Sequence, residues 1–322
     1  MKAVVFESKE KGATYNEDFK SPEIPDDFVE ISLKAAALNK RDDFILKGLY
    51  PGLRPNVVLG SDGCGVYEGQ PVVFDPGINW GESLEYQSPD YHILGMPQHG
   101  TFCEKVSVPK TNIFAKPKHL DFIQASALPL AGLTAYRALF TRGRLKPGQK
   151  VLISGGGGGV ALFCIQFAIA SGARVYSTTG SEDKKSRLLK MGLEGVVNYN
   201  GNSWDMDFSR EFGPVDLVID SAGGDGLHRL VNLLNPGGTL VTYGGTLGKS
   251  DNISPQVIFW KQLNIKGSTM GSPQDFKNMI RFVEQHQIVP VVDRVFPLSD
   301  FNKAVARLRS KDHFGKIVLT IS

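Results

Sequence analysis

The residues that most plainly invite chemistry are five consecutive glycines, Gly155, Gly156, Gly157, Gly158 and Gly159, followed by Val160 and Ala161. They stand between two apolar runs, Val151-Leu152-Ile153-Ser154 and Leu162 to Ala170. Gly156-x-Gly158-x-x-Ala161 has the G-x-G-x-x-A spacing of a dinucleotide-binding turn. A side chain in such a turn would block the pyrophosphate, and the free N–H groups at the start of the following helix attract its negative charge. Alone the spacing is weak, because a flexible linker or a plain strand-to-helix turn gives the same letters.

The next strand decides which dinucleotide fits. An acidic residue at its end would bond the adenosine 2′-hydroxyl and repel a 2′-phosphate. Here the chain reads Tyr176-Ser177-Thr178-Thr179-Gly180-Ser181-Glu182-Asp183-Lys184-Lys185. Thr178, Thr179 and Ser181 offer hydroxyls, and Lys184 or Lys185 follows one turn on, so NADPH is expected over NADH. The alternative is that Glu182, Asp183, Lys184 and Lys185 are a solvated first helical turn compatible with either cofactor.

Metal chemistry finds little support. Cys64, Cys103 and Cys164 are far apart and form no C-x-x-C pair. His92 and His99 lie in one loop, where they hold a metal together or are simply solvated. The cysteine usage suggests a reducing compartment, and the first ten residues have too short an apolar run for a signal peptide, so a cytoplasmic location is expected.

These residues need a scaffold, and the chain supplies one. At 322 residues, with about 150 per domain, two domains are expected. Lys+Arg number 36 against 33 Asp+Glu, which leaves no electrostatic footprint for nucleic acid or an anionic bilayer. The 23 uncharged residues between Lys150 and Arg174 are long enough to span a membrane, but the glycines break them into a strand, a turn and a helix. Residues 1–117 read as short β segments separated by Pro, Gly, Asn and Asp clusters. From 118 onward apolar runs begin at Lys150, Arg174, Gly195, Asp216, Gly238 and Leu263, every 20 to 25 residues, with helical patterns between. That rhythm belongs to a doubly wound parallel sheet. Ser272-Pro273 opens a helix with Phe276, Met279, Ile280 and Val283 on one face; Phe301, Ala304, Val305 and Leu308 mark another. Residues 315–321 read as a final strand that returns to the first domain. The domains are therefore 1–117 plus 273–322, and 118–272.

At this point the chain resembles a known family. Leu128 to Leu139, Lys146 to Ile153 with the glycine turn, Asn198-Tyr199, Asp220 to Gly224, Gly237 to Gly245 and Gly315 to Leu319 are similar, in order, to the medium-chain dehydrogenase/reductase superfamily. The resemblance runs along essentially the whole chain and points to the zinc-independent quinone oxidoreductase and enoyl reductase branch. It implies an α/β fold: a GroES-like β-barrel catalytic domain and a Rossmann cofactor domain, with the active site in the cleft between them. By position it also implies that Thr134 lies near the nicotinamide, Ser221, Ala222, Gly244 and Gly245 beside the cofactor, and Lys184 and Tyr199 near the 2′-phosphate.

Zinc members of the family hold the metal with Cys and His. Here Asn39 stands where the ligand Cys is expected and Ser61 where His is expected, and residues 64–103 contain no Cys lobe. The resemblance therefore implies no metal. Without a Lewis acid an alkoxide has nothing to stabilise it, whereas hydride delivery to a quinone or an activated C=C needs only hydrogen-bond donors and a proton. Tyr50, in Gly48-Leu49-Tyr50-Pro51, matches the tyrosine of zinc-free members and would donate that proton, or is a loop tyrosine packed by Pro51 and Pro55. Asn39 would offer an amide to substrate and Asp42 would orient the loop; Lys40 and Arg41 read as exposed. The segment from Asp75 to Gly95 either walls the pocket or packs as a surface loop.

The expected function is thus NADPH-dependent reduction of a quinone or an α,β-unsaturated carbonyl. The alternatives are an alcohol/aldehyde dehydrogenase of the same superfamily and a non-catalytic NADPH-binding sensor or scaffold. A homodimer is expected through the strand Leu263 to Ser268, which the usual 3-2-1-4-5-6 order leaves at a sheet edge.

Overall fold

The computed structural model describes residues 1–322. The chain divides into two compact units, Met1–Leu133 with Gly271–Ser322, and Thr134–Met270. The first begins with β1 (Ala3–Ser8), β2 (Gly12–Asn16), β3 (Phe28–Ala37), α1 (Lys40–Leu46), β4 (Val57–Val58), β5 (Asp62–Tyr67), β6 (Gln70–Phe74), β7 (Gly77–Ile78), β8 (His92–Ile93), β9 (Lys105–Pro109), β10 (Ile113–Ala115) and α2 (Phe122–Ser126). Residues 118–133, which the change of sequence texture groups with the second domain, lie here because α2 packs on β3 and β5. Asp121 caps α2 by accepting from the Gln124 N–H.

Within α3 (Pro129–Tyr136) the chain passes into the second unit. There β11 (Lys150–Ile153), α4 (Gly159–Ala170), β12 (Arg174–Thr179), α5 (Glu182–Lys190), β13 (Gly195–Asn198), α6 (Trp204–Phe212), β14 (Val215–Asp220), α7 (Leu227–Asn232), β15 (Leu234–Thr242), α8 (Pro255–Trp260) and β16 (Asn264–Gly267) follow. The strands form one six-stranded parallel sheet in the order β13-β12-β11-β14-β15-β16, the doubly wound arrangement the spacing predicts. Helix α4 buries residues around most of its circumference, among them Leu162, Phe163, Cys164, Ile165 and Phe167. That explains a sequence in which Gln166 is the one polar side chain, and no helix is long and apolar enough to cross a membrane.

The chain then returns through α9 (Pro273–Gln285), β17 (Val292–Pro297), α10 (Phe301–Arg309) and β18 (Lys316–Thr320). Ser272 and Asp275 cap α9 reciprocally, with Pro273 in its first turn. Its buried stripe is Phe276, Met279, Ile280 and Val283. In the first unit the main sheet runs β10-β6-β5-β3-β18-β17, and β9 also pairs with β3. Strand β3 organises it. Ile31 and Leu33 point inward while Ser32 and Lys34 face solvent, and Ala35, Ala36 and Ala37 are buried on both faces. At those small residues β18 docks antiparallel, Val318 opposite Ala37 and Thr320 opposite Ala35.

Candidate functional site

In the second unit the glycine turn leaves β11 and enters α4. Gly155 and Gly157 have φ of +67° and +116°, a region where a side chain would be strained. Gly156 is needed for packing: a Cβ there would meet Ser177 Oγ at 2.5 Å and Leu188 Cδ1 at 2.7 Å. Gly158 faces open space, its nearest neighbour being the Gly155 carbonyl at 3.8 Å. It precedes α4 without any side-chain cap, so Gly159 and Val160 begin the helix with no side chain of their own turn as acceptor. The turn therefore fits a pyrophosphate: the positions facing outward lack side chains, and the helix start behind them carries the positive end of the dipole.

Hydrogen bonds hold this cradle from β12 and β14. Thr178 Oγ1 accepts from Gly155 N at 3.1 Å and its carbonyl from Gly156 N at 2.7 Å. Asp220, which sequence reasoning did not assign to the site, accepts from Ser154 Oγ at 2.5 Å and from Gly223 N at 2.8 Å. One buried carboxylate thus ties the turn to the loop after β14. The signal was present in Asp220-Ser221-Ala222-Gly223-Gly224, but nothing local marks the aspartate as inward-facing.

At the end of β12, Thr179 is buried and Ser181 caps α5 through Lys184 N. The ring of half-exposed Tyr199 lies over Gly180, where a Cβ would be 2.8 Å from its oxygen. Glu182, the nearest carboxylate, is bonded to Asn198 Nδ2 at 2.8 Å. Thr179, Ser181, Lys184 and Tyr199 are therefore gathered at the ends of β12 and β13. After β14 and β15, Leu247 N bonds the Ala222 carbonyl at 2.8 Å, and a Cβ on Gly244 would meet the Ser221 carbonyl at 2.8 Å. Gly245 sits in the same pair of interlocked loops, its carbonyl accepting from Gly248 N. Thr134 is buried, with Oγ1 3.8 Å from Met270 Sδ. A cavity of about 310 Å³ beside β13 is lined by Lys185, Leu189, Asn198, Trp204 and Phe212, and none of the glycine-turn residues lines it.

In the first unit a second group of polar residues is buried. Lys316, the first residue of β18, places Nζ 2.7 Å from Asp62 Oδ2 and 2.6 Å from Asn39 Oδ1. Asn39 Nδ2 closes the triangle by donating to Asp62 Oδ2 at 2.9 Å. The other Asp62 oxygen accepts from Leu130 N at 2.6 Å. Asn39 is held on both sides of its amide. Its backbone N–H donates to Asp42 Oδ2 at 2.7 Å, while Asp42 Oδ1 is buried without a partner. Burial pushes the Asp42 carboxyl up to about 6, against the opposing charges of Arg41 and Lys316.

Tyr50 is half-buried beyond the end of α1. Arg41 reads as exposed in the sequence but is buried; it lies over the Tyr50 ring and reaches Ser61 and the Leu94 carbonyl. Lys40 is exposed. The segment 75–95 is packed: Trp80 is buried edge-on to Tyr91 at 5.1 Å, and β7 pairs with β8. His92 bonds Gln98, whereas His99 accepts from Val58 N, so the two do not meet as a ligand pair. All three cysteines are buried, and burial pushes the Cys64 thiol up to about 12.

Residues 159–285 match the family model described as zinc-binding dehydrogenase. The zinc-type alcohol dehydrogenase-like protein YogA of Leptosphaeria maculans is 35% identical over 325 residues, covering 91% of this chain and 90% of that protein. A solved NAD-dependent alcohol dehydrogenase is similar with a TM-score of 0.93 and 34% identity over 100% of both chains. The quinone oxidoreductase of Thermus thermophilus, whose structure includes a complex with NADPH, gives 0.84 and 26% over 100% of both.

Zinc, which the family description names, does not fit the residues present. A zinc ion is gripped by thiolate, imidazole and carboxylate. The candidate position offers an amide and a hydroxyl beside Asp62, and the Lys316 ammonium already neutralises that carboxylate. No three His, Cys, Asp or Glu side chains cluster anywhere in a way that could hold a metal.

Proposed function

The chain belongs to the medium-chain dehydrogenase/reductase superfamily of oxidoreductases, and on that footing we propose that it is a zinc-independent, NADPH-dependent reductase of quinones or of the C=C bond of α,β-unsaturated carbonyls. One observation carries the reading: the Lys316 ammonium sits between Asn39 and Asp62. With that cation fixed by protein groups, nothing in the donor set would bind a substrate alkoxide as a Lewis acid does. A conjugated acceptor makes a smaller demand, since its developing negative charge is spread over a dienolate or enolate and met by a hydrogen-bond donor.

A reduced nicotinamide dinucleotide, when bound, supplies hydride. Gly155 to Val160 would hold its pyrophosphate, Ser221, Ala222, Gly244 and Gly245 would line it, and Thr134 would lie by the nicotinamide. Thr178 keeps the glycine turn in shape. Thr179, Ser181, Lys184 and Tyr199 would take the 2′-phosphate; the absence of a carboxylate at the end of β12 supports this, and Glu182 is engaged by Asn198. The NAD-dependent relative is the reason to test it directly. On the substrate side Tyr50 donates the proton, Asn39 presents its amide within a rigid polar frame, and Asp42 keeps the start of α1 in place.

Reduced-cofactor oxidation by the purified protein, with NADPH and NADH each offered quinones, enals and enoyl thioesters, tests the reading. Turnover of at least one conjugated acceptor with NADPH, and no loss of it after chelation, is the expected result. Alcohol oxidation that tracks bound zinc would establish the dehydrogenase instead; tight NADPH binding with no turnover of any acceptor would establish a sensor. Thr179→Asp should reverse the NADPH/NADH ratio of kcat/KM by about tenfold or more.

A further inference from the structure

We propose that Arg41 is the positioning residue of Tyr50, holding the phenol in its working orientation and stabilising the negative charge that its oxygen carries once the proton has left. This inference rests on the reading of Tyr50 as proton donor.

The guanidinium is buried, 8% exposed, and lies 4.7 Å from the centre of the Tyr50 ring. A cation over an aromatic face is attracted by the ring quadrupole, the more so when water is excluded. Nε also reaches the phenol oxygen at 3.4 Å. The other edge of the fork is anchored: Nη1 donates to Ser61 Oγ at 2.6 Å and to the Leu94 carbonyl at 2.7 Å, and Nη2 to the Met96 carbonyl at 3.3 Å. Ser61 in turn donates to the Leu94 carbonyl at 2.8 Å, so the anchor is itself fixed.

All four of these acceptors are neutral oxygens, and Arg41 makes no salt bridge. A buried cation without a paired anion is costly unless something compensates it. The Asp42 carboxyl, whose charge Arg41 favours, offsets part of it without a direct contact, and the guanidinium's own hydrogen-bond partners gain a negative charge only when Tyr50 gives up its proton. In the reaction the Tyr50 O–H bond breaks as the new bond to hydrogen forms on the reduced acceptor. The electron pair of the O–H bond stays on the phenol oxygen beside Arg41, and solvent water later returns the proton. Arg41 keeps all its protons throughout and touches no substrate.

A double-mutant cycle with NADPH and 2-cyclohexen-1-one tests this. Tyr50→Phe should lower kcat about 100-fold, the contribution of a positioned general acid. Arg41→Met should lower kcat about tenfold while moving KM less than about threefold, and should cost nothing further in the Tyr50→Phe background. Added guanidinium should restore part of kcat to Arg41→Met and none to the double variant. If Arg41→Met fails to fold, Arg41→Lys carries the same cycle, since it keeps one charge but loses the fork. An equal cost of the Arg41 change with and without Tyr50 overturns the proposal and leaves Tyr50 as donor. A Tyr50→Phe enzyme as fast as the parent overturns the reading of Tyr50 as donor, and a parent that turns over no quinone, enone, enal or enoyl thioester overturns the proposed function.

Discussion

Lys316 Nζ and Asp62 Oδ2 form a 2.7 Å ion pair between side chains that are 4% and 0% exposed, across 254 residues of sequence. Removing one member of such a pair strands the other as a buried charge, at a cost of about 3–5 kcal/mol. Lys316→Met should therefore lower stability by that order in denaturant unfolding. Asp62→Asn combined with Lys316→Met, which removes both charges, should recover more than half of the loss. A single Lys316→Met variant as stable as the parent would show that the pair contributes nothing.

Asp42 makes stability depend on pH. Its folded value of about 6 lies above the ordinary 3.8. The native state therefore binds the proton more tightly than the unfolded chain, and the resulting stability is full below pH 4 and lost as pH rises through 6. At neutral pH the ionised, half-partnered carboxylate costs up to about 3 kcal/mol. Asp42→Asn keeps an acceptor for Asn39 N, so it should stabilise the protein at pH 7.5 and have little effect at pH 4. The comparison is made by urea unfolding at the two values.

Two neighbouring glycines should respond differently to one added methyl. Gly156→Ala forces a Cβ against Ser177 and Leu188 and should cost about 1–3 kcal/mol of stability. Gly158→Ala meets nothing closer than 3.8 Å, so the fold should survive. Its methyl stands where the pyrophosphate is expected, and NADPH affinity should fall about tenfold or more by fluorescence titration. Unchanged affinity would place the cofactor elsewhere.

We propose a homodimer through β16. That strand has a neighbour on one side only, and Ile265, Phe259 and Trp260 around it are 41%, 59% and 83% exposed. An open strand edge beside exposed apolar side chains favours pairing. Light scattering should give twice the 35.1 kDa chain mass, and Ile265→Lys with Trp260→Glu should halve it. A parent that scatters as a monomer at micromolar concentration defeats the proposal.

What the sequence disclosed was what is local. The six parallel strands follow from short apolar runs at regular intervals, and the turn from five adjacent glycines, so both were legible. Strand β15 shows where locality misleads: Leu234 already pairs with Val215, and the ladder resumes only at Thr239 opposite Leu217, because Asn235 to Gly238 bulge out. The polar frame was not legible in the same way. Lys316 opens an apolar strand with nothing local to mark its side chain as buried, and its partners Asn39 and Asp62 are 277 and 254 residues away. Arg41 was misread for the opposite reason: a Lys-Arg-Asp-Asp run suggests a solvated helix start, and only the carbonyls of Leu94 and Met96 draw the guanidinium inward.

The order of synthesis gives the return of β18 a further meaning. Thr134–Met270 is one uninterrupted stretch, so every residue of that unit has been made once position 270 is translated. The unit begun at the N-terminus is incomplete at that stage, because Asp62 gains its counter-charge only when Lys316 has been translated. A stop codon before residue 316 would leave the first unit without both a sheet strand and its buried cation.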